Sequence, residues 1–354
     1  MTANPQTRRP GRAALGLPSD SAPVVVCYGG GVDSTAMLIA LKRRHIVPDL
    51  IMFADVGGEK PETYDYVRGI DAWLASWGAP AVTWVARKPS PRVAYRTLEG
   101  NCLDNETLPS LAFGLHSCSV KWKIEPQDQF LKGVRRGPNR RPGWKPALDA
   151  WAAGLKPVKL IGYDAGPADI RRRRRATLED DAFRYVFPLQ TLGWSRERCI
   201  RVILEEGLAV PLKSACFFCP ASKEWELWWL AGAHPDLFLR ALKIERTALE
   251  GRHSRWDTVR FGDSWWGYVK GGKSFPNEAQ AGLGRRFSWN QWAVENRIVN
   301  LDGDFIADRN ACLKTARRLR AQRAPNDAQP HSRPPCCARI ALDADRTGAS
   351  AHAG

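Results

Sequence analysis

No stretch of the 354 residues is long and apolar enough to read as a membrane span, and the arginine-bearing N-terminus lacks the apolar core of an export signal. Both absences argue against a membrane or secreted protein and place the chain in the cytoplasm. Acidic residues are in short supply, with 37 Asp and Glu against 53 Lys and Arg and a formal charge of +16. That balance disfavours a cationic partner and points to an anionic one: nucleic acid, nucleotide or acidic protein. Cysteine is not scarce, but nine is an odd count in a long chain without an export signal. Reduced thiols or metal ligands are therefore expected, not a disulfide framework.

The stretch around which the chain is organised is Val24-Val25-Val26-Cys27-Tyr28, then Gly29-Gly30-Gly31, then Val32-Asp33-Ser34-Thr35. A β-branched run entering glycines and then an apolar-periodic segment reads as strand, tight loop and helix. Glycine lets the backbone turn with positive φ and approach a ligand closely. The free N–H groups and dipole of a helix start favour an anion, and the Ser34 and Thr35 hydroxyls add donors, so the stretch reads as a phosphate site. It is not a Walker A loop, because no lysine stands in place. A dinucleotide fingerprint is met at Gly29 and Gly31 but has Ser34 in its third position, with Asp55 near the distance expected for a ribose-binding acid.

The loop resembles the S-G-G-x-D-S loop of the PP-loop, or adenine nucleotide alpha hydrolase, superfamily, with Gly29 in place of the first serine. Further patches follow in order. Phe53-Ala54-Asp55-Val56-Gly57-Gly58-Glu59-Lys60-Pro61-Glu62-Thr63-Tyr64 is similar to a segment of the phosphoadenosine phosphosulfate (PAPS) reductase branch. So are Cys118, Lys123 and Pro126, the turn Gly162-Tyr163-Asp164-Ala165 with arginines at 171–175, and Pro188-Leu189 followed by Trp194. The resemblance implies a nucleotide held by Gly29, Gly30, Gly31, Asp33, Ser34, Thr35, Asp55, Gly57, Gly162, Asp164 and Arg171. It gives Asp33, Lys123 and Cys118 catalytic roles, with Lys123 facing the phosphates and Lys121 as an alternative.

Strands are expected at 23–28, 49–54, 81–86 and 158–161, and helices at 34–44, from Pro61 to about Trp77, 145–154 and 195–207. The alternation predicts an α/β fold, a parallel sheet with helices on both faces, whose ligands lie at the carboxyl ends of the strands. Residues 1–20 are expected to be a disordered arm, 21–210 a PP-loop domain, 211–314 a Cys- and Trp-rich helical extension, and 315–354 a disordered basic tail. Basic residues 133–146 read as a surface insertion.

Cys216-Phe217-Phe218-Cys219 can grip one metal centre. Cys118 is the third candidate ligand and Cys102 the fourth; the resemblance implies a [4Fe–4S] cluster, with zinc or no metal as alternatives. Cys27 and Cys199 read as small buried hydrophobes. Trp225, Trp228 and Trp229 have helical spacing and read as packing, whereas Arg260–Lys273 interleaves aromatics with glycine and cations and could stack bases. The tail lacks the Glu-Cys-Gly-Leu-His segment of thioredoxin-dependent PAPS reductases.

Two chemistries are consistent with these features. One is adenylation by ATP with Mg²⁺, followed by sulfur transfer to a nucleic acid (tRNA or DNA), served by a sulfur-donor or reductant protein. The other is cleavage of PAPS or adenosine phosphosulfate to sulfite. A non-catalytic nucleotide-sensing or nucleic-acid-binding module is a third reading.

Overall fold

A computed structural model of the chain describes residues 10–113, 116–174, 176, 178–250, 282–285 and 287–322. Strands β1 Val24–Tyr28, β2 Leu50–Asp55, β3 Val82–Ala86, β4 Val158–Ile161 and β5 Arg184–Val186 form one sheet in the order β3-β2-β1-β4-β5. Every neighbouring pair is parallel. The helices are α1 Pro10–Ala13, α2 Val32–Lys42, α3 Pro61–Ala75, α4 Leu98–Asp104, α5 Ser117–Ser119, α6 Glu125–Lys132 and α7 Lys145–Ala152. They continue with α8 Pro167–Arg174, α9 Pro188–Thr191, α10 Arg196–Glu205, α11 Glu224–Ala233, α12 Pro235–Glu250, α13 Trp289–Glu295 and α14 Arg309–Gln322. None among the described residues is long and apolar enough to cross a membrane.

β1 and β2 are apolar almost throughout because a parallel sheet is covered on both faces. Successive side chains alternate. Val24, Val26 and Tyr28 enter one core with Met37, Leu41 and Ile203, while Val25 enters the opposite one with Met52, Leu131 and Phe183. On that second face Lys159 of β4 is 2% exposed, ion-paired to Asp128 of α6, and its ammonium lies 3.8 Å from the Phe183 ring centre. The pair ties α6 to the sheet.

A third core lies beyond the carboxyl edge. It gathers Val56, Leu98 and Trp122 from the first half of the chain with Phe217, Phe218, Phe238, Trp289 and Cys312 from the second. The extension expected at 211–314 therefore shares its core with the loops after β2 and β3. Trp228 and Trp229 pack against this core, and Trp228 meets Trp292 edge to face at 5.3 Å. The stretch Arg260–Lys273 lies outside the described residues, as do Cys336 and Cys337.

Two expectations of disorder are corrected within the described residues. Residues 10–20 carry α1 and send Leu15 and Leu17 into the main core, so two apolar side chains anchor a segment whose composition is that of an arm. Residues 315–322 complete α14, where Ala316 is buried one turn after Cys312.

The segment from Gly57 to Thr63, entering α3, is clamped across the cores by polar contacts. Glu59 ion-pairs with Lys123 and Lys60 with Glu226, and Glu62 hydrogen-bonds His234. Glu226, 2% exposed, also accepts from Lys213 at 2.8 Å and from the Lys223 backbone at 2.9 Å. Burial pushes its carboxyl up, but Lys60 and Lys213 outweigh it and hold the pKa below the ordinary 4.5. A depressed carboxylate stabilises the fold above its unfolded pKa, and that stability is lost as the pH falls through the folded value. Denaturant titrations from about pH 5 down to about pH 3 should show this loss. The Glu226→Gln variant, weaker at neutral pH because Lys60 is stranded, should lose less on acidification. Equal slopes for both proteins would contradict the assignment.

Candidate functional site

β2 and β3 lie on one side of β1 and β4 on the other, so the strand order reverses between β1 and β4. Open α/β sheets bind ligands in the crevice at such a switch point, outside the carboxyl ends of the strands. Both loops bordering this crevice carry residues nominated from the sequence: Gly29–Ser34 after β1 and Gly162–Asp164 after β4.

The first loop holds its own shape. Gly30 has φ +69°, which only glycine adopts freely. The Ser34 hydroxyl accepts from the backbone N–H groups of Gly29 at 3.2 Å and Gly31 at 3.3 Å and donates to the Gly31 carbonyl at 3.1 Å. Ser34 thus acts first as the loop's internal brace. Thr35 is fully buried with its hydroxyl 3.3 Å from that of Tyr28, so it serves the core and is not presented to a ligand. Gly162 is needed where it stands, since a Cβ there would lie 2.9 Å from the Ser34 Cα and N.

Asp33, Asp164 and Asp169 converge on this loop. One carboxylate oxygen from each lies within 4.8 Å of the others, and among the described residues this is the group of metal-type ligands so gathered. Asp33 accepts from Arg196 at 2.6 Å through Oδ2, while its buried Oδ1 has no hydrogen-bond partner. Burial pushes the Asp33 pKa up to about 6, with Arg196 opposing and Asp164 and Asp169 adding repulsion. Asp164 Oδ1 accepts from the Gly166 N–H at 2.7 Å, and Asp169, also raised by burial, accepts from Arg172 at 2.7 Å. Three carboxylates with an orphan buried oxygen fit a hard divalent cation such as Mg²⁺, which takes oxygen ligands.

Asp55 organises the loop after β2. Its Oδ1 accepts from the Gly57 N–H and the Tyr64 hydroxyl, each at 2.7 Å. Gly57 has φ +69°, and a Cβ on it would lie 2.3 Å from the Thr97 side chain. Of the arginine run, Arg171 to Arg174 are exposed on α8. Arg172 pairs with Asp169, Arg173 and Arg174 line a cavity of about 420 Å³ with Ala165 and Gln190, and Arg175 lies outside the described residues.

Lys123 sits in a π-helical turn, Val120–Ile124, between α5 and α6. Such turns often mark functional sites. Its ammonium meets Glu59 at 2.8 Å, and Glu59 is wholly buried. Burial opposes the Lys123 charge, but Glu59 and then the sulfur of Cys216 outweigh it, so the ammonium is held. Cys219 acts on it in the same sense. Lys123 therefore faces a carboxylate and lies near two cysteines. Lys121 is exposed and offers its carbonyl to Arg87.

Cys118, Cys216 and Cys219 are close enough to influence one another electrostatically, and Cys118 likewise influences buried Cys102. Burial drives the Cys216 thiol far above its ordinary range, so its thiolate needs a positive partner. Apolar Trp122, Phe217 and Phe218 keep the place dry, and Lys123 supplies countercharge. Three thiolates in a dry setting beside one countercharge are donors that suit an iron–sulfur cluster or zinc. Cys27 lies on β1, partly buried, with its thiol pushed up to about 11 by burial, and Cys199 is buried in the main core.

No family model matches the chain, and no curated protein matches it. Among solved structures it is similar to the U34-tRNA thiolase NcsA from Methanococcus maripaludis with its [4Fe-4S] cluster, at 12% identity and a TM-score of 0.35, over 86% of this chain and 89% of that one. That likeness is too distant to argue from.

Sequence reasoning did not find Arg196, Asp169 or the Glu59–Lys123 pairing. Asp169 had a signal, an acid in the first turn of the helix after the Gly162 turn. Glu59 lay inside a nominated motif without a role. Arg196 carries no local pattern; only the fold brings it to the loop.

Proposed function

We propose that the protein binds a magnesium complex of ATP at the switch point, adenylates an oxygen of a nucleic acid, and directs sulfur to displace the AMP. One observation carries this reading: three carboxylates converge on a loop built to cradle an anion. Carboxylates beside phosphate repel it unless a divalent cation intervenes, and a cation bridging adjacent phosphates is how a nucleoside triphosphate is held. PAPS has no such triphosphate chain to bridge, so the arrangement favours ATP.

The N-terminus of α2 with Gly29–Gly31 would receive the phosphate chain, and Arg196 would hold Asp33 in place. The acceptor oxygen attacks the α-phosphorus, the new O–P bond forms as the bridging P–O bond breaks, and pyrophosphate leaves with the electron pair. A hydrosulfide released by a sulfide-bearing donor then adds at the carbon carrying the adenylated oxygen, the C–O bond breaks with its electron pair leaving on AMP, and the S–H proton is lost to solvent. Mg²⁺ on Asp33, Asp164 and Asp169 would supply neutralisation of the phosphates. A [4Fe–4S] cluster on Cys118, Cys216 and Cys219 would supply iron able to hold sulfur, with Lys123 offsetting negative charge. The net charge of +16 suits a polyanionic acceptor.

The test is calorimetry of ATP and PAPS, each with and without Mg²⁺, on anaerobically purified protein, followed by pyrophosphate release with tRNA or DNA. Mg²⁺-dependent ATP binding supports adenylation. Preference for PAPS, independent of Mg²⁺, overturns it in favour of reductive cleavage, and failure to bind either nucleotide leaves a nucleic-acid-binding module. For the cysteine site, Cys216→Ser should remove most of the iron and acid-labile sulfide from the purified protein. Unchanged iron content would remove Cys216 from the ligand set.

A further inference from the structure

The segment entering the Cys216–Cys219 turn crosses directly over the triglycine loop. A Cβ built on Gly31 would lie 2.8 Å from the Ser214 Oγ, a hydroxyl brought against the loop from a distant part of the chain. The same hydroxyl is 3.9 Å from where a Gly29 Cβ would stand. The loop's own donors at Gly29 and Gly31 are bonded to Ser34, whereas Ser214 makes no side-chain hydrogen bond among the described residues. Its position is fixed from the next residues on. Cys216 forms a backbone bridge with Glu59, the Phe217 N–H donates to the Gly58 carbonyl at 2.9 Å, and the Phe218 ring fills the space a Gly58 Cβ would take.

We infer that Ser214 is a nucleotide-binding residue whose hydroxyl donates to the phosphate chain held over Gly29–Gly31. The inference rests on the ATP-binding reading above and adds a contact to it. A hydroxyl donor on this side complements the backbone donors of the α2 N-terminus and leaves the carboxylates to the cation. Because Ser214 stands two residues before Cys216, one short backbone segment would touch the phosphates and carry a cysteine of the sulfur site. Nucleotide binding would then order the approach to that cysteine.

The experiment is calorimetry on the full anaerobically purified chain with Mg²⁺–ATP and, separately, adenosine. Ser214→Ala should weaken ATP binding by about tenfold or more, the loss expected for one hydrogen bond to a charged group, with adenosine affinity unchanged. The Gly29→Ser change in that background should restore ATP binding. A Cβ at residue 29 meets only ordinary contacts, at 3.8 Å and beyond, and its hydroxyl would reach the same place. Equal ATP affinity in wild type and Ser214→Ala overturns the inference alone. So does a parallel loss of ATP and adenosine affinity, which would mean a structural role, and so does failure of Gly29→Ser to restore binding. Wild-type protein that binds no Mg²⁺–ATP overturns the site reading and this inference with it.

Discussion

Replacing Asp33 with asparagine is expected to lower Mg²⁺-dependent ATP binding and pyrophosphate release on the order of 10²–10³-fold while leaving the melting temperature unchanged or slightly raised. The functional loss follows from removing one of three converging carboxylates; even outer-shell partners of metals cost about 10–100-fold, and a direct ligand should cost more. The stability result follows from the sign of the pKa shift. Burial lifts Asp33 to about 6 from 3.8, so its ionised form is disfavoured in the folded protein at neutral pH. Asparagine keeps the shape and removes that penalty. Arg196 loses its partner, but its side chain is 30% exposed and can be solvated. A destabilised variant with lost binding would instead make Asp33 a structural residue. Such a trade of stability against function is the mark of a site.

Lys123→Met should destabilise the protein by about 3–5 kcal/mol in urea unfolding, because it leaves the Glu59 carboxylate buried without its cation. The Glu59 side chain has no solvent exposure, and one of its oxygens already lacks a partner. Adding Glu59→Gln should return most of that loss, to within about 1 kcal/mol of wild type, since a neutral amide tolerates the site far better. Lys123 itself is partly exposed, so the net worth of the intact pair is smaller than the cost of breaking it. If Lys123→Met leaves stability unchanged but weakens ATP binding, Lys123 faces the phosphates as the motif resemblance implies, and its ionic tie to Glu59 is incidental.

The features legible in the sequence were those written locally. β1 through β4 stand as apolar runs close to their expected bounds, and Gly29–Ser34 and Gly162–Asp164 each lie on a few consecutive residues at a strand end. β5 escaped because Arg184-Tyr185-Val186 is three residues long, half polar, and is a strand only through its pairing with β4. Leu15 and Leu17 escaped because composition, dominated there by Pro, Arg and Gly, outvoted two anchoring side chains. Lys123 was marked by its motif, and only the fold showed Glu59, 64 residues away in sequence, as its partner. Arg196 meets Asp33 across 163 residues, a separation no local pattern can register.

The shared third core has a consequence for how the chain can be divided. Val56, Leu98 and Trp122 share one apolar core with Phe217, Phe238 and the late helices, so part of the surface each side buries is buried against the other. A cut near residue 210 would bare the shared part of that core on both fragments. Deleting or transplanting the carboxyl half is therefore expected to expose apolar surface on each piece. Splitting the gene there should yield activity only when both pieces are made together and meet before either aggregates.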